Sequence, residues 1–197
     1  CMIVLASQSR ARLALLEGAG VKVTRSPAAI DEAEIKTSYR RKSATPGVCA
    51  MALAEAKALT VATRHPGALI IGADQLLDCD GTWLDKPRDR ADAREQLRLL
   101  RGRRHELVTA VSVARDGNII WHDLATPRLT MRDFSEQFLE TYVAGLGRDD
   151  LAAVGSYRIE GPGLQLFERV EGDYFAILGL PLLPLLHFLR DQSELPQ

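Results

Sequence analysis

The stretch Ala68-Leu69-Ile70-Ile71-Gly72-Ala73-Asp74-Gln75-Leu76-Leu77-Asp78-Cys79-Asp80-Gly81 decides how the chain is read. It opens with an unbroken apolar run, the pattern of a strand covered on both faces rather than one that alternates between core and solvent. The reading is therefore a buried strand over 68–72 that delivers Ala73, Asp74 and Gln75 at its exit. Asp80-Gly81 after Leu76 and Leu77 is a hairpin signal.

A strand buried on both faces needs helices around it, and the flanking sequence offers them. Upstream, Thr45 is an N-cap with Pro46 at the first helical position, opening an Ala-rich helix to about residue 63 that carries Glu55 and Lys57. At the start of the chain an apolar run over 2–6 meets a Ser-rich turn, followed by a helix over 10–17 with Leu13 and Leu16 at helical spacing and Gly18 and Gly20 closing it. Residues 21–25 read as a second strand, and Asp31, Glu32 and Glu34 fall in a polar, acidic loop without periodicity. Downstream, Pro87 forces an extended turn at Asp85-Lys86-Pro87. Asp89 caps a helix whose Ala93, Leu97 and Leu100 share one face, and Gly102 ends it. Residues 105–115 and 119–132 read as two strands around Asp116-Gly117-Asn118. Ser135 caps a further helix, with Phe134 and Leu139 at the staple positions and Gly145 as its stop. A glycine-punctuated loop over 155–163, strands over 164–170 and 174–178, and a short apolar helix over 182–190 complete the chain. Strands and helices interleave without repeats, which indicates an α/β fold with a mixed central β-sheet flanked by helices on both faces. At 197 residues and 46% hydrophobic content, one domain over 1–197 is expected.

Composition narrows the function. Lysine plus arginine total 25 against 26 acidic residues, so no global field exists to hold a nucleic-acid polymer, and a nucleotide must be caught by a local cluster. Cys1, Cys49 and Cys79 are odd in number and lack a CxxC pair, which argues against a disulfide framework and for a reducing, cytoplasmic setting. No run of about 18 apolar residues and no basic-then-apolar opening exist, so neither a membrane span nor export is expected. The order Cys1-Met2 suggests that the natural chain starts at Met2. No GxxxxGK, GxGxxG or GxSxG occurs, which removes three standard readings for nucleotide and serine-hydrolase chemistry.

Three groups of residues could carry chemistry. Ser7, Ser9, Arg10 and Arg12 stand at a strand-to-helix turn, where free backbone N–H groups already favour an anion, although a serine that merely caps the helix would look the same. Asp74, placed where a buried strand ends, could join Glu32 and Glu55 in a carboxylate cluster suited to a hard divalent cation such as Mg²⁺ or Mn²⁺. Lys57 and Lys86 are point charges able to neutralise phosphate oxygens, though isolated lysines are commonly solvated surface. His65, His105, His122 and His187 show no ligand spacing and receive a structural or surface role.

In order along nearly the whole chain, these segments resemble the Maf-like nucleotide pyrophosphatases. The resemblance begins at Leu5-Ala6-Ser7-Gln8-Ser9 with Arg12, similar to the family's LASxSxxR opening. It continues through Asp31-Glu32, Glu55-x-Lys57-Ala58, Gly72-Ala73-Asp74, Lys86-Pro87, and Leu100-x-Gly102 with His105 and Thr109. It closes on Gly155-Ser156-Tyr157, Glu160-Gly161 and Gly179-Leu180-Pro181. The resemblance implies a Maf/inosine triphosphatase-like sheet and hydrolysis of a nucleoside triphosphate to monophosphate and pyrophosphate with a divalent metal. It further implies Asp74 as proton acceptor, Ser7, Ser9, Arg12, Lys57 and Lys86 on the triphosphate, and Glu32 as a metal holder. No membrane or nucleic-acid partner is implied, and a homodimer stays open.

Ala11, Gln75 and Glu160 stand at the three positions that divide the family around the base. The thymidine/uridine triphosphate branch carries Arg, Thr and Gln there, whereas Gln75 and Glu160 look like the branch acting on 7-methylguanosine triphosphate. An ionised carboxylate only accepts, so Glu160 suits the N1–H and N2–H of guanine. Two departures are evident. Ala152-Ala153-Val154 replaces a phosphate-side lysine segment, and Ala11 replaces a tryptophan that could stack on a methylated base. A hydrolase of UTP and dTTP, and a non-catalytic nucleotide binder acting in septum formation, are the two alternatives.

Overall fold

The structure, a computed structural model, describes residues 1–197. Its contacts gather into two units, one of Cys1–Gln75, Thr109–Ala125 and Asp173–Gln197, the other of Leu76–Val108 and Thr126–Gly172. Strands β3 (Leu69–Cys79) and β5 (Arg104–Arg115) run from one unit into the other. One domain over 1–197 remains our proposal, resting on these shared strands.

The first unit contains β1 (Ile3–Leu5), α1 (Arg10–Gly18), β2 (Thr24–Arg25), α2 (Glu32–Arg41), α3 (Pro46–Ala62), β6 (Asn118–Ala125), α7 (Tyr174–Leu178) and α8 (Leu182–Asp191). Strand β1 lies parallel to both β2 and β3, with Leu5 opposite Ile71, while β6 runs antiparallel to β5. The result is a mixed sheet. Because side chains alternate across a strand, odd-numbered Ile3, Leu5, Leu69, Ile71 and Ala73 meet Leu16 of α1 and Leu185 and Leu189 of α8. Even-numbered Val4, Ala6 and Ile70 meet Ala58, Val61 and Ala62 of α3. The unbroken apolar run over 68–72 thus records a strand covered by α1 and α8 on one side and by α3 on the other.

The α3 side is unusually close. A Cβ added at Gly72 would stand 2.1 Å from the Ala54 carbonyl oxygen and 2.8 Å from the Ala58 nitrogen, so the helix backbone rests directly on the strand. The alanines of α3 and the glycine of β3 are small for the same reason.

The second unit holds β4 (Thr82–Leu84), α4 (Arg90–Leu100), β7 (Arg128–Met131), α5 (Glu136–Ala144), α6 (Arg148–Leu151) and β8 (Phe167–Glu171). Asp80 and Gly81, both at positive φ, make the tight turn from β3 to β4. Strand β7 pairs with β5 and β8, with His105 opposite Leu129 and Leu129 opposite Val170. Within this unit His105 is buried, its Nε2 2.6 Å from the Tyr157 hydroxyl and its ring beside Phe167.

The strand read over 164–170 begins only at Phe167, after a 3-10 turn over Pro162–Leu166, and three further segments depart from their reading. Asp31, Glu32 and Glu34, read as an acidic loop, stand at the start of α2, which Asp31 caps by accepting from the Glu34 N–H at 3.0 Å. No residue of α2 is buried, so the apolar periodicity that betrays most helices is faint, although Asp31-x-x-Glu34 carries a capping signature. The strand read over 119–132 breaks into β6 and β7 at Thr126-Pro127, because proline cannot donate to a sheet ladder. Residues 174–178, read as a strand, form α7, begun by Asp173 accepting from the Phe175 N–H and ended at Gly179 with φ 122°. A five-residue apolar run fits either structure by periodicity.

Two stability measurements follow. Gly72→Ala should cost about 2–3 kcal/mol in urea unfolding, since a backbone contact has no rotamer with which to relax; a loss below about 0.5 kcal/mol would contradict the close packing. Burial pushes the His105 pKa down from 6.5 to about 4, so across that interval the unfolded chain holds a proton that the folded chain does not. Stability should therefore fall as pH drops from about 6.5 to about 4, by up to about 1.4 kcal/mol per pH unit from this group. Unfolding curves of wild type and His105→Gln should show the variant lacking that part of the slope, and equal slopes would refute it.

Candidate active site

The turn after β1 builds an anchored guanidinium. Ser9 caps α1 by accepting the Arg12 N–H at 3.3 Å, and the Ser7 hydroxyl accepts from the Ser9 N–H at 3.1 Å and from Arg12 Nη1 at 3.3 Å. Arg12 Nε donates to the Gly179 carbonyl at 2.7 Å. The side chain is thus held by two chain segments rather than left in solvent. Burial lowers the Arg12 pKa from its ordinary value, and the opposing pull comes from Asp74 and Glu32, so both carboxylates act on this cation.

Lys57 supplies the second centre. The buried residues of α3 include Leu53, Ala54, Ala58 and Val61, and Lys57 lies on that same stripe. An ammonium pointed into a core must be met by counter-charge. Even-numbered Asp74 projects from β3 toward α3 and accepts from Lys57 Nζ at 2.7 Å through Oδ1. Glu32, first residue of α2, pairs with the same Nζ at 2.9 Å through Oε1. Asp74 Oδ2 is buried and has no hydrogen-bond partner, leaving its lone pairs open to a proton, a water or a cation.

Gln75 projects to the opposite face of β3. Its Nε2 lies 3.0 Å from Thr109 Oγ1, 2.9 Å from the Ala176 carbonyl and 3.2 Å from the Ile177 carbonyl. Thr109 in turn donates to the Ala176 carbonyl at 3.0 Å.

Among the residues singled out from sequence, Ser7, Ser9 and Arg12 come together at one turn, and Glu32, Lys57 and Asp74 come together in one ion-paired cluster that acts on Arg12. Glu55 does not join them. Two residues before Lys57, it is turned about 200° around α3, and no group of three or more His, Cys, Asp or Glu side chains forms a metal cage. The three-carboxylate cluster is therefore corrected to the pair Glu32 and Asp74. Asp74 also lies inside an eleven-residue strand rather than at its exit; what ends beside it is the parallel neighbour β1, whose Leu5 stands opposite Ile71. Ala11 is exposed on the first turn of α1. Lys86 is exposed between β4 and α4, and Glu160 is exposed in the turn after α6, both in the second unit. Sequence reasoning gave no structural role to Gly179, although a glycine directly before Leu180-Pro181 marks a chain reversal.

A hard divalent cation suits this donor set: two carboxylates, one with an unpartnered buried oxygen, leave remaining positions for water and phosphate oxygens, as Mg²⁺ prefers.

The family model for Maf-like proteins matches residues 2–192, and the chain belongs to that family. A nucleoside triphosphate pyrophosphatase of Paramagnetospirillum magneticum is 52% identical over 98% of this chain and 99% of its own length. One of Granulibacter bethesdensis is 51% identical over 98% of both chains. A 7-methyl-GTP pyrophosphatase of Brucella abortus is 45% identical over 97% of this chain and 96% of its own.

Proposed function

We propose that this chain hydrolyses a guanine-type nucleoside triphosphate, such as 7-methylguanosine triphosphate, at the α–β phosphoanhydride, releasing nucleoside monophosphate and pyrophosphate. The chain is a nucleoside triphosphate pyrophosphatase, a hydrolase of acid anhydrides, sharing about half its residues over nearly its whole length with enzymes so named. The observation that carries the mechanism is Asp74, whose Oδ1 is fixed by Lys57, whose Oδ2 is buried and unpartnered, and whose charge acts on Arg12.

In this reading Asp74 takes the proton of an attacking water at Oδ2 as the water oxygen bonds to the α-phosphorus. The α–β P–O bond breaks, and pyrophosphate leaves with the electron pair. Ser7, Ser9, Arg12 and Lys57 grip the triphosphate and absorb charge that builds on the leaving group, and the family resemblance alone adds Lys86 to them. Glu32 and Asp74 would hold Mg²⁺ or Mn²⁺, which when bound polarises phosphate oxygens and makes water a better nucleophile. Lys57 keeps the two carboxylates in place for either task.

Base preference rests on Glu160, whose ionised carboxylate matches the two N–H groups of the guanine edge, whereas an amide suits uracil. The 45% identity to enzymes named 7-methyl-GTP pyrophosphatases in two Brucella species supports it. Ala11, too small to stack on a methylated ring, leaves unmodified guanosine triphosphate as a competing substrate.

Pyrophosphate release over GTP, 7-methyl-GTP, UTP, dTTP and ATP, with and without divalent cation, tests all of this. Guanine substrates should lead and chelation should abolish turnover. Wild-type preference for UTP or dTTP would reject the pocket argument in favour of the other branch. Asp74→Asn should lower kcat by about 10²–10⁴-fold with the fold retained by circular dichroism; unchanged turnover would remove Asp74 from the mechanism. Glu160→Gln should shift the ratio of kcat/KM for guanine over uracil substrates by at least about tenfold toward uracil, and an unmoved ratio would clear Glu160 of base reading.

A further inference from the structure

The amide of Gln75 is committed to the protein's own backbone. Two of its three neighbours are carbonyls, Ala176 at 2.9 Å and Ile177 at 3.2 Å, and a carbonyl can only accept, so the NH₂ group faces them and both protons are used there and at Thr109 Oγ1. Thr109 is fully buried and spends its own proton on the Ala176 carbonyl. These carbonyls belong to the last turn of α7, a five-residue helix, and the Ala176 carbonyl also accepts from the Gly179 N–H at 3.0 Å. Gln75 and Thr109 therefore cap it from the sheet.

The chain then turns at Gly179, where φ is 122° and an added Cβ would lie 3.4 Å from Arg12 Nε. That turn aims the Gly179 carbonyl at Arg12 Nε, 2.7 Å away. Amide, helix end, glycine carbonyl and guanidinium form one continuous linkage from β3 to the cation at the opening turn.

We propose that Gln75 is a positioning residue. By capping α7 it fixes Gly179, and Gly179 holds the Arg12 guanidinium for the phosphate chain of the substrate, whatever its base. Only the Gln75 carbonyl oxygen remains to address a base. This rests on the reading of Arg12 as a phosphate ligand and is separable from it.

Inorganic tripolyphosphate, which has no base, makes the separation as a competitive inhibitor of nucleoside monophosphate release. Arg12→Ala must raise its Ki; an unchanged Ki would reject the phosphate-site reading itself. Given that rise, Gln75→Met should raise the tripolyphosphate Ki on the order of tenfold and raise KM for GTP, UTP and ATP by the same factor, keeping their ranking. Added to Arg12→Ala, Gln75→Met should have little further effect, since the two act through one linkage. A reordering of nucleotides with the tripolyphosphate Ki unmoved would overturn the inference and make Gln75 a base reader. If Gln75→Met does not fold, Thr109→Val decides by the same ratio, with Thr109→Ser returning the Ki toward wild type; a Thr109→Val Ki equal to wild type would also overturn it.

Discussion

An ammonium on the core face of a helix makes a demand that the rest of a fold has to meet. Lys57 sits on the buried stripe of α3, and its burial is tolerable because Asp74 comes to it from the strand below and Glu32 from the start of α2. Breaking such a pair by removing one partner leaves a buried, uncompensated charge, which costs several kcal/mol. The same three residues hold a strand and two helices in register, so structural need and the proposed chemistry fall on the same atoms. The contact requires α3 to lie close to β3, and the absence of a side chain at Gly72 permits it.

Alternation along β3 then divides the labour. Asp74 faces α3 and meets Lys57, while Gln75, one residue on, faces the other helical layer and meets the end of α7. A strand covered on both faces can place consecutive residues in two environments that share only a backbone. Arg12 couples them: Asp74 and Glu32 act on it electrostatically, and the Gly179 carbonyl holds it geometrically.

Most of this architecture was legible from residue pattern, and the places where it was not share a cause. Helices α3, α4 and α5 announce themselves by caps at Thr45, Asp89 and Ser135, each of which accepts the expected backbone N–H, and α1 by leucines at helical spacing after a Ser-rich turn. Helix α2 escaped because none of its residues is buried, so its stability comes from a cap and polar contacts that leave little periodic trace. Helix α7 escaped because five apolar residues are too few to distinguish one period from another. Within the site, the types Asp, Glu, Lys and Arg were readable as phosphate and metal chemistry, but their convergence was not. Glu55 shows why: it has the right chemistry two residues from Lys57, and helical geometry sends it elsewhere.

The electrostatic balance at rest bears on how an anion could enter. Within the first unit Arg12 and Lys57 are already matched by Glu32 and Asp74, and the Arg12 guanidinium is engaged with the Ser7 hydroxyl and the Gly179 carbonyl. A cluster without surplus positive charge gains little by admitting a triphosphate alone, whose charge would oppose the two carboxylates. Were a divalent cation to accompany it, Glu32 and Asp74 would hold the cation, and that interaction would change sign. The pair Glu32 and Asp74 is thus where a cation would offset the charge of an arriving triphosphate, apart from any aid it would give the chemical step.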